Sequence, residues 1–373
     1  METIRRTCRV CKSPLFDKKL LQLKNMPSSA QNFPTSDTDK GIDMSVYQCS
    51  KCGLIQLTCS PVPYYTHVIR ASAFSEEMKC FRIKQFKKFV KKYGLKNKKV
   101  IEIGCGKGEY LSLMKSAGVD AYGIENSQES VDYCIKNNLN VTKDFIYTAV
   151  DVLPSRPYDA FFMLSYFEHL PDPTIQLKSI HKNLKEGGVG LIEVPNFDMM
   201  LKHDMFSEFI TDHLTYFTKS TLTSTLLMNG FDVIECKEIW HDYIISAVVR
   251  KRTITNLQSF KDKQASLKKD LHTYIKQYKK VAVFGAGHQA LALIALTEIG
   301  DKIEYVVDDA TFKQGKLTPG THIPIVSRDE IESNRPEAII IIAGSYSGEV
   351  LKSLTYRKIN KAIVNNNELQ VAS

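Results

Sequence analysis

Between residue 72 and Tyr93 apolar side chains recur at intervals of mostly three to five positions, at Phe74, Met78, Phe81, Phe86, Phe89 and Val90. That spacing predicts an amphipathic helix closing near Gly94. Short apolar runs then alternate with helical patterns. Lys99–Ile103, Ala121–Glu125, Ala160–Leu164 and Gly190–Val194 read as strands, and Tyr110–Ala117 and Thr174–Leu184 as helices. Such alternation predicts a parallel sheet covered by helices on both faces. Near Arg250 the pattern changes to a long charged helix running to Lys280, after which a second βα series opens. Its strands are expected at Lys280–Phe284, Lys302–Val307 and Ala338–Ile342. Residues 1 to about 60 show little periodicity. The expected fold is α/β, with two doubly wound modules in tandem behind a small N-terminal module. The expected boundaries are 1–62, 63–95, 96–250 and 251–373.

Composition narrows the picture. At 373 residues, 43% apolar and 24% charged, the chain reads as a globular protein of two or three domains. No apolar run approaches the roughly 20 residues that cross a bilayer, and Met1–Arg6 lacks a signal peptide's apolar stretch. A cytoplasmic location is therefore expected, with no membrane partner. The net charge of +9 is concentrated in the lysine-rich stretches 79–99 and 250–280. Apolar residues at helical spacing within both make these solvated helix faces. Aromatics are not interleaved with arginine in the loops, so nucleic acid is not the expected partner.

In a reducing compartment nine cysteines point to metal ligation or plain burial rather than disulfides. Cys8-Arg-Val-Cys11 and Cys49-Ser-Lys-Cys52 form two knuckles, each able to turn a pair of thiolates toward one ion. Two knuckles complete a tetrahedral sulfur shell, so a structural Zn2+ is expected on Cys8, Cys11, Cys49 and Cys52. Four protein ligands leave no open position for metal chemistry.

Glu102-Ile-Gly104-Cys-Gly106-Lys-Gly108 follows a strand and opens a helix. Its glycines let the backbone approach a ligand, and the helix N-terminus offers free N–H donors. A glycine turn alone does not separate a dinucleotide from S-adenosylmethionine. Glu102, two residues ahead of the first glycine, suits an ammonium group and would repel a pyrophosphate. Glu125 ends the second strand, where a carboxylate accepts both ribose hydroxyls. S-adenosylmethionine is therefore the expected cofactor. These residues resemble motifs I and II of the class I methyltransferases. The resemblance extends to Tyr158–Leu164, Glu168-His169-Leu-Pro-Asp172 and Leu184-Lys-Glu-Gly-Gly188, covering roughly residues 96–250. It implies that Asp144 or Phe145 borders the adenine.

Asp212-His213 follows the fifth expected strand and its Val194-Pro195-Asn196 end. Ligands of such sheets lie beyond the carboxyl ends of the strands, and a histidine beside a carboxylate suits general base work. The order of cysteine module, methyltransferase domain and second Rossmann-like domain resembles the nucleotide-sugar 3-C-methyltransferases. Tyr305–Ile325 is similar to that family's last domain, and Pro63-Tyr64-Tyr65 leading to Ser72 and Ser75 is similar to its substrate-facing segment. The resemblance implies a nucleotide-linked deoxysugar as substrate and carbon methylation beside a ketone through an enolate. It further implies His213 as base, Asp212 as its orienter, and Tyr65, Tyr216 or His169 as groups on the ketone oxygen. Ile210 stands where the family has tyrosine, and Asp212 where it has glutamate. O- or N-methylation of a sugar or other small molecule is therefore the alternative, with an RNA methyltransferase a more distant one.

Gly285-Ala-Gly287-His-Gln-Ala290 also follows a strand, and Asp308 lies about twenty residues on, as a dinucleotide site requires. The resemblance implies instead a domain without a redox role that helps hold the sugar nucleotide. His288 and Gln289 would then face its phosphates.

Overall fold

The computed structural model describes residues 5–31, 33–36, 40–66 and 75–372. Ser72 and Phe74 lie outside them. The chain forms two compact units, residues 1–253 and 254–373. Among the described residues no helix is long and apolar enough to cross a membrane.

The first unit begins with β1 (Leu21–Met26), β2 (Ile42–Gln48) and β3 (Ile55–Leu57). Their weak alternation hid them in the sequence, because β1 leaves four of its six residues exposed. Helix α1 (Glu76–Lys92) is capped by the Ser75 side chain, which accepts from the Met78 N–H at 3.1 Å. Then follow β4 (Lys99–Ile103), α2 (Glu109–Ser116), β5 (Asp120–Glu125), α3 (Gln128–Lys136), β6 (Asn140–Lys143) and β7 (Tyr158–Leu164). After them come α4 (Pro173–Asn183), β8 (Leu184–Pro195), α5 (Phe197–Lys202), β9 (Thr215–Tyr216), α6 (Lys219–Met228), β10 (Phe231–Ile239) and β11 (Ile244–Lys251).

Seven strands form one sheet in the order β10-β11-β8-β7-β4-β5-β6. Only β11 runs antiparallel to its neighbours. This is a largely parallel sheet with helices on both faces, as the βα alternation predicts. Period-two alternation sends its side chains to two cores: Phe161 and Met163 of β7 face one, Ala160, Phe162 and Leu164 the other. Helices α4 and α6 cover the first through Leu177, Ile180, Leu222 and Leu226. Helices α1 and α2 cover the second through Phe86, Phe89, Leu111 and Met114. Lys84, Lys87 and Lys88 of α1 point to solvent, as solvated helix faces should. A buried Arg82–Glu193 ion pair, joined by Gln85 and Ser246, ties α1 to β8 and β11.

The charged helix expected from Arg250 starts later. Residues 244–251 are β11, buried along most of their length, and the helix α7 spans only Gln258–Ile275. Charge in Arg250 and Lys251 masked a strand whose remaining residues are buried between two neighbours.

The second unit continues with β12 (Val281–Phe284), α8 (His288–Leu296), β13 (Tyr305–Val307), β14 (Ile325–Val326), α9 (Glu330–Ser333), β15 (Ala338–Ile341), α10 (Ser347–Ser353), β16 (Asn360–Asn365) and β17 (Glu368–Val371). Its sheet has the order β14-β13-β12-β15-β16-β17, parallel except for β17. Ala338 and Ile340 face one core with α7 and α8, while Ile339 and Ile341 face the other. Strands this apolar on both faces are expected when helices cover the whole sheet.

Candidate active site

The four knuckle cysteines converge. Cys8 Sγ lies 3.6 Å from Cys52 Sγ and Cys11 Sγ 3.4 Å from Cys49 Sγ, and all four sulfurs fall within 4.8 Å of one another. A tetrahedral zinc–thiolate centre needs sulfurs about 3.8 Å apart for metal–sulfur bonds of ~2.3 Å. The Val10 and Cys11 N–H groups donate to Cys8 Sγ, and those of Lys51 and Cys52 to Cys49 Sγ, each at 3.4 Å. Such donors suit thiolates, and the donor set fits a closed Zn2+ site.

This module is built into the wall of the main site. Strand β3 pairs with β9, joining Ile55 to Tyr216 and Gln56 to Thr215. The N-terminal sheet thus has the order β1-β2-β3-β9 and grips the chain directly after His213. Arg9, between the first two cysteines and 2% exposed, donates to the carbonyls of Leu57, Cys59 and Pro171. Pro171 lies two residues beyond His169, so one buried guanidinium braces both sides of the site.

The cofactor half lies where β4 and β5 end. Gly104, Gly106 and Gly108 all take positive φ, at 68°, 55° and 77°. Only glycine reaches this conformation without strain, and a Cβ on Gly108 would stand 2.4 Å from Leu139 Cδ1. Glu102 and Glu125 are each 1% exposed. Glu125 accepts from the Gly106 N–H at 3.0 Å and the Ser127 N–H at 2.8 Å, pinning the loop to the end of β5. A small pocket lies beside them, lined by Thr66, Gly104, Glu125, Asp144, Phe145 and Tyr166 among others. Asp144 and Phe145 line this pocket together with Glu125. Burial raises the Asp144 carboxyl above its ordinary value despite a hydrogen bond from the Phe145 N–H.

The acceptor half is assembled from three distant segments. Tyr64 Oη donates to Asp212 Oδ1 at 2.8 Å, and the Ala30 N–H donates to Asp212 Oδ2 at 2.8 Å. Burial, with the Asp212 charge, raises the Tyr64 phenol and keeps it a donor. No hydrogen bond joins the Asp212 carboxylate to the His213 ring among the described residues, so its expected role as orienter of that ring finds no contact. Instead the Asp212 carbonyl accepts from His169 Nδ1 at 2.8 Å, and the two imidazoles meet edge to face with centroids 4.8 Å apart. Burial, helped by the His169 charge, holds His213 well below its ordinary value, and burial lowers His169 too. His213 is therefore neutral near pH 7.

Two tyrosines expected on the ketone oxygen have other partners. Tyr65 packs edge-on against Phe145 at 6.0 Å, over the cofactor half. Tyr216 Oη accepts from the Ile210 N–H at 3.0 Å and so holds the loop before Asp212. Sequence reasoning missed Tyr64, one residue from the tyrosine it chose, and missed Glu168. Glu168 is 1% exposed, its Oε1 lies 3.9 Å from His169 Nε2, and neither carboxyl oxygen has a hydrogen-bond partner among the described residues. The Glu-His dipeptide was the available signal for Glu168.

In the second unit Gly285 takes φ 110°, and a Cβ there would stand 2.5 Å from the Ile342 carbonyl oxygen. A cleft of about 320 Å3 is lined by Gly285, Gly287, His288, Gln289, Asp308 and Lys313 among others. Asp308 accepts from the Ala286 N–H, the Ala310 N–H and Lys313 Nζ.

The chain is similar to known methyltransferases. Residues 74–236 match a family model described as a methyltransferase domain, and residues 248–364 one described as a C-methyltransferase C-terminal domain. The chain is similar to the C-methyltransferase NovU of Streptomyces niveus, 22% identical over 284 residues covering 68% of each chain. It is 27% identical over 135 residues to a ubiquinone biosynthesis O-methyltransferase of Psychrobacter arcticus, covering 34% of this chain and about half, 52%, of that relative. A solved S-adenosylmethionine-dependent methyltransferase from Clostridium acetobutylicum overlaps 51% of this chain and 96% of its own at 12% identity, with a TM-score of 0.39. The protein is an S-adenosylmethionine-dependent methyltransferase.

Proposed function

We propose that this enzyme methylates a carbon of a nucleotide-linked deoxysugar, next to a ketone. One observation carries the reading: residues 64–66 span the two halves of the site. Thr66 lines the cofactor cavity, while Tyr64 holds Asp212, the neighbour of His213. An acceptor bound against the two histidines is thereby placed beside the cofactor. The match to the C-methyltransferase C-terminal domain and the similarity to NovU support carbon as the attacking atom.

Bound S-adenosylmethionine would supply an electrophilic methyl group, and Glu102 and Glu125 are the carboxylates that would hold its ammonium and its ribose. His213, neutral and with a free lone pair, takes the proton from the carbon beside the ketone, and the electron pair moves into the enolate. Tyr64 and Ala30 fix Asp212, which fixes His169 through its carbonyl. Correct placement of the acceptor is worth up to roughly 7–11 kcal/mol, so a rigid wall matters as much as the base. Zn2+ on Cys8, Cys11, Cys49 and Cys52 would hold that wall and take no part in the chemistry.

The test is incubation with S-adenosylmethionine and a panel of nucleotide sugars, including 4-keto-6-deoxy forms. Release of S-adenosylhomocysteine with a keto sugar, and an NMR methyl singlet on a quaternary carbon, is expected. An O- or N-methyl signal would replace this reading with the alternative. His213→Ala should lower kcat at least ~100-fold and leave S-adenosylhomocysteine affinity intact. Full turnover by that variant would remove His213 as the base.

A further inference from the structure

We propose that Glu168 shares one buried proton with His169 and so turns that ring into a hydrogen-bond donor toward the acceptor's carbonyl oxygen. What the donor acts on rests on the reading above; the shared proton does not.

The argument starts from a tautomer. His169 Nδ1 lies 2.8 Å from the Asp212 carbonyl oxygen. A carbonyl only accepts, so Nδ1 carries the hydrogen, and in the neutral ring Nε2 is left with a lone pair. A lone pair repels a ketone oxygen and cannot stabilise the negative charge that develops on it. His169 therefore needs a second proton to act as the polarising group, yet burial disfavours taking one from water.

The neighbouring side chain holds one. Glu168 shares a short 3-10 turn with His169, its Oε1 lies 3.9 Å from His169 Nε2, and both carboxyl oxygens lack partners among the described residues. The groups that face it are His169 on its own turn, His213 on the loop before β9, and Tyr243 between β10 and β11. Among the described residues no lysine or arginine is ion-paired with it. Burial pushes its carboxyl up to about 8, so it is protonated near neutral pH. At 3.9 Å the two groups are not hydrogen-bonded; a rotation of the Glu168 carboxyl that closes this gap lets the proton pass from its oxygen to Nε2, giving a carboxylate–imidazolium pair with no change in net charge. The imidazolium Nε2–H then donates to the enolate oxygen while His213 holds the proton from carbon. Glu168 does not touch the acceptor in this scheme. It is a positioning residue that acts through His169, related in principle to carboxylic acids kept neutral by apolar sites.

The experiment is 15N NMR of the histidine-labelled full chain without acceptor, from pH 6 to 9, with His169 assigned by a His169→Asn variant. In the wild type the His169 Nε2 resonance should sit between the protonated and unprotonated positions at pH 7. It should reach the unprotonated position as pH rises through about 8. In Glu168→Gln it should be unprotonated throughout, and Glu168→Asp should restore part of the titration. With a working acceptor, the alkaline limb of kcat/KM should move to lower pH in Glu168→Gln, with a loss of roughly 10- to 100-fold. Identical His169 resonances in wild type and Glu168→Gln overturn the proposal. So does stoichiometric Mn2+ broadening both histidines in the wild type alone, which would give those lone pairs to a cation. Should Glu168→Gln not fold, Glu168→Asp carries the same NMR comparison. Absence of turnover with every keto sugar would sink the substrate reading and leave the NMR result standing.

Discussion

Each unit opens its sheet with a glycine turn and closes the next strand with a carboxylate, and the two turns share a device. Glu125 accepts from the Gly106 N–H at 3.0 Å, and Asp308 accepts from the Ala286 N–H at 2.7 Å. In both, the carboxylate ties the turn to the neighbouring strand. The differences lie around it. Two residues before the first glycine stands the buried Glu102 in one turn and the apolar Val283 in the other. The first turn has three glycines at positive φ; in the second only Gly285 is so, and Gly287 has φ −83°. Asp308 is moreover paired with Lys313 at 2.9 Å, whereas no lysine or arginine is ion-paired with Glu125 among the described residues. Similar local geometry thus carries a buried carboxylate ahead of the glycines in one unit and an apolar side chain in the other.

The largest effect should come from the carboxylates. If Glu125 holds the ribose as proposed, Glu125→Ala removes an acceptor for two hydroxyls, each charge-assisted bond being worth about 1.5–3 kcal/mol. S-adenosylhomocysteine should bind at least ~100-fold more weakly by calorimetry. Asp308→Ala should change the same affinity by less than about twofold. Equal losses would mean that the second unit takes part in cofactor binding, and the contrast between the turns would fail.

A smaller effect, on stability, should separate the glycines of the second turn. Gly285→Ala forces a Cβ to φ 110°, 2.5 Å from a backbone oxygen that cannot step aside. The cost should be roughly 1–3 kcal/mol, seen in urea unfolding of the full chain. Gly287→Ala meets nothing within 4 Å and should be close to neutral. A neutral Gly285→Ala would show that the turn is soft.

The local parts of this molecule were the legible ones. A strand, a glycine turn and a helix occupy consecutive residues, so Glu102–Gly108 and Glu125 announced their arrangement through spacing alone. The paired cysteines did likewise. What stayed hidden was long-range or depended on burial. Tyr64 and Asp212 are separated by 148 residues, and only the docking of β3 on β9 brings them together. Tyr65 was the more natural choice because nothing in a Tyr-Tyr pair says which ring turns inward. Glu168 looked like the flank of a histidine, since its lack of partners belongs to the packing around it. The strand β11 was read as a helix start because Arg250 points to solvent and Lys251 reaches the Glu186 carboxylate and the Leu184 carbonyl. Periodicity reports a buried face only while charges keep off it.

The smallest effect tests why the second carboxylate differs from the first. Burial works to raise the Asp308 carboxyl, but N–H donors from Ala310 and Ala286 and the Lys313 ammonium together hold it below its ordinary value. A depressed carboxylate contributes stability above the unfolded value of 3.8 and loses it as pH falls through the folded one. Lys313→Met removes one of three supports for the charge, at a part-exposed pair worth about 0.5–1 kcal/mol. Its thermal unfolding should therefore fall slightly below wild type from pH 7 to about pH 4 and converge with it in stronger acid. The same variant asks whether the ion pair alone keeps ribose from Asp308. If NADH fluorescence then reports binding absent in the wild type, Lys313 was the gate, and the two turns differ by one lysine. If NADH still does not bind, the difference lies deeper, in a turn with one left-handed glycine, where the backbone offers fewer N–H groups to a pyrophosphate than three would.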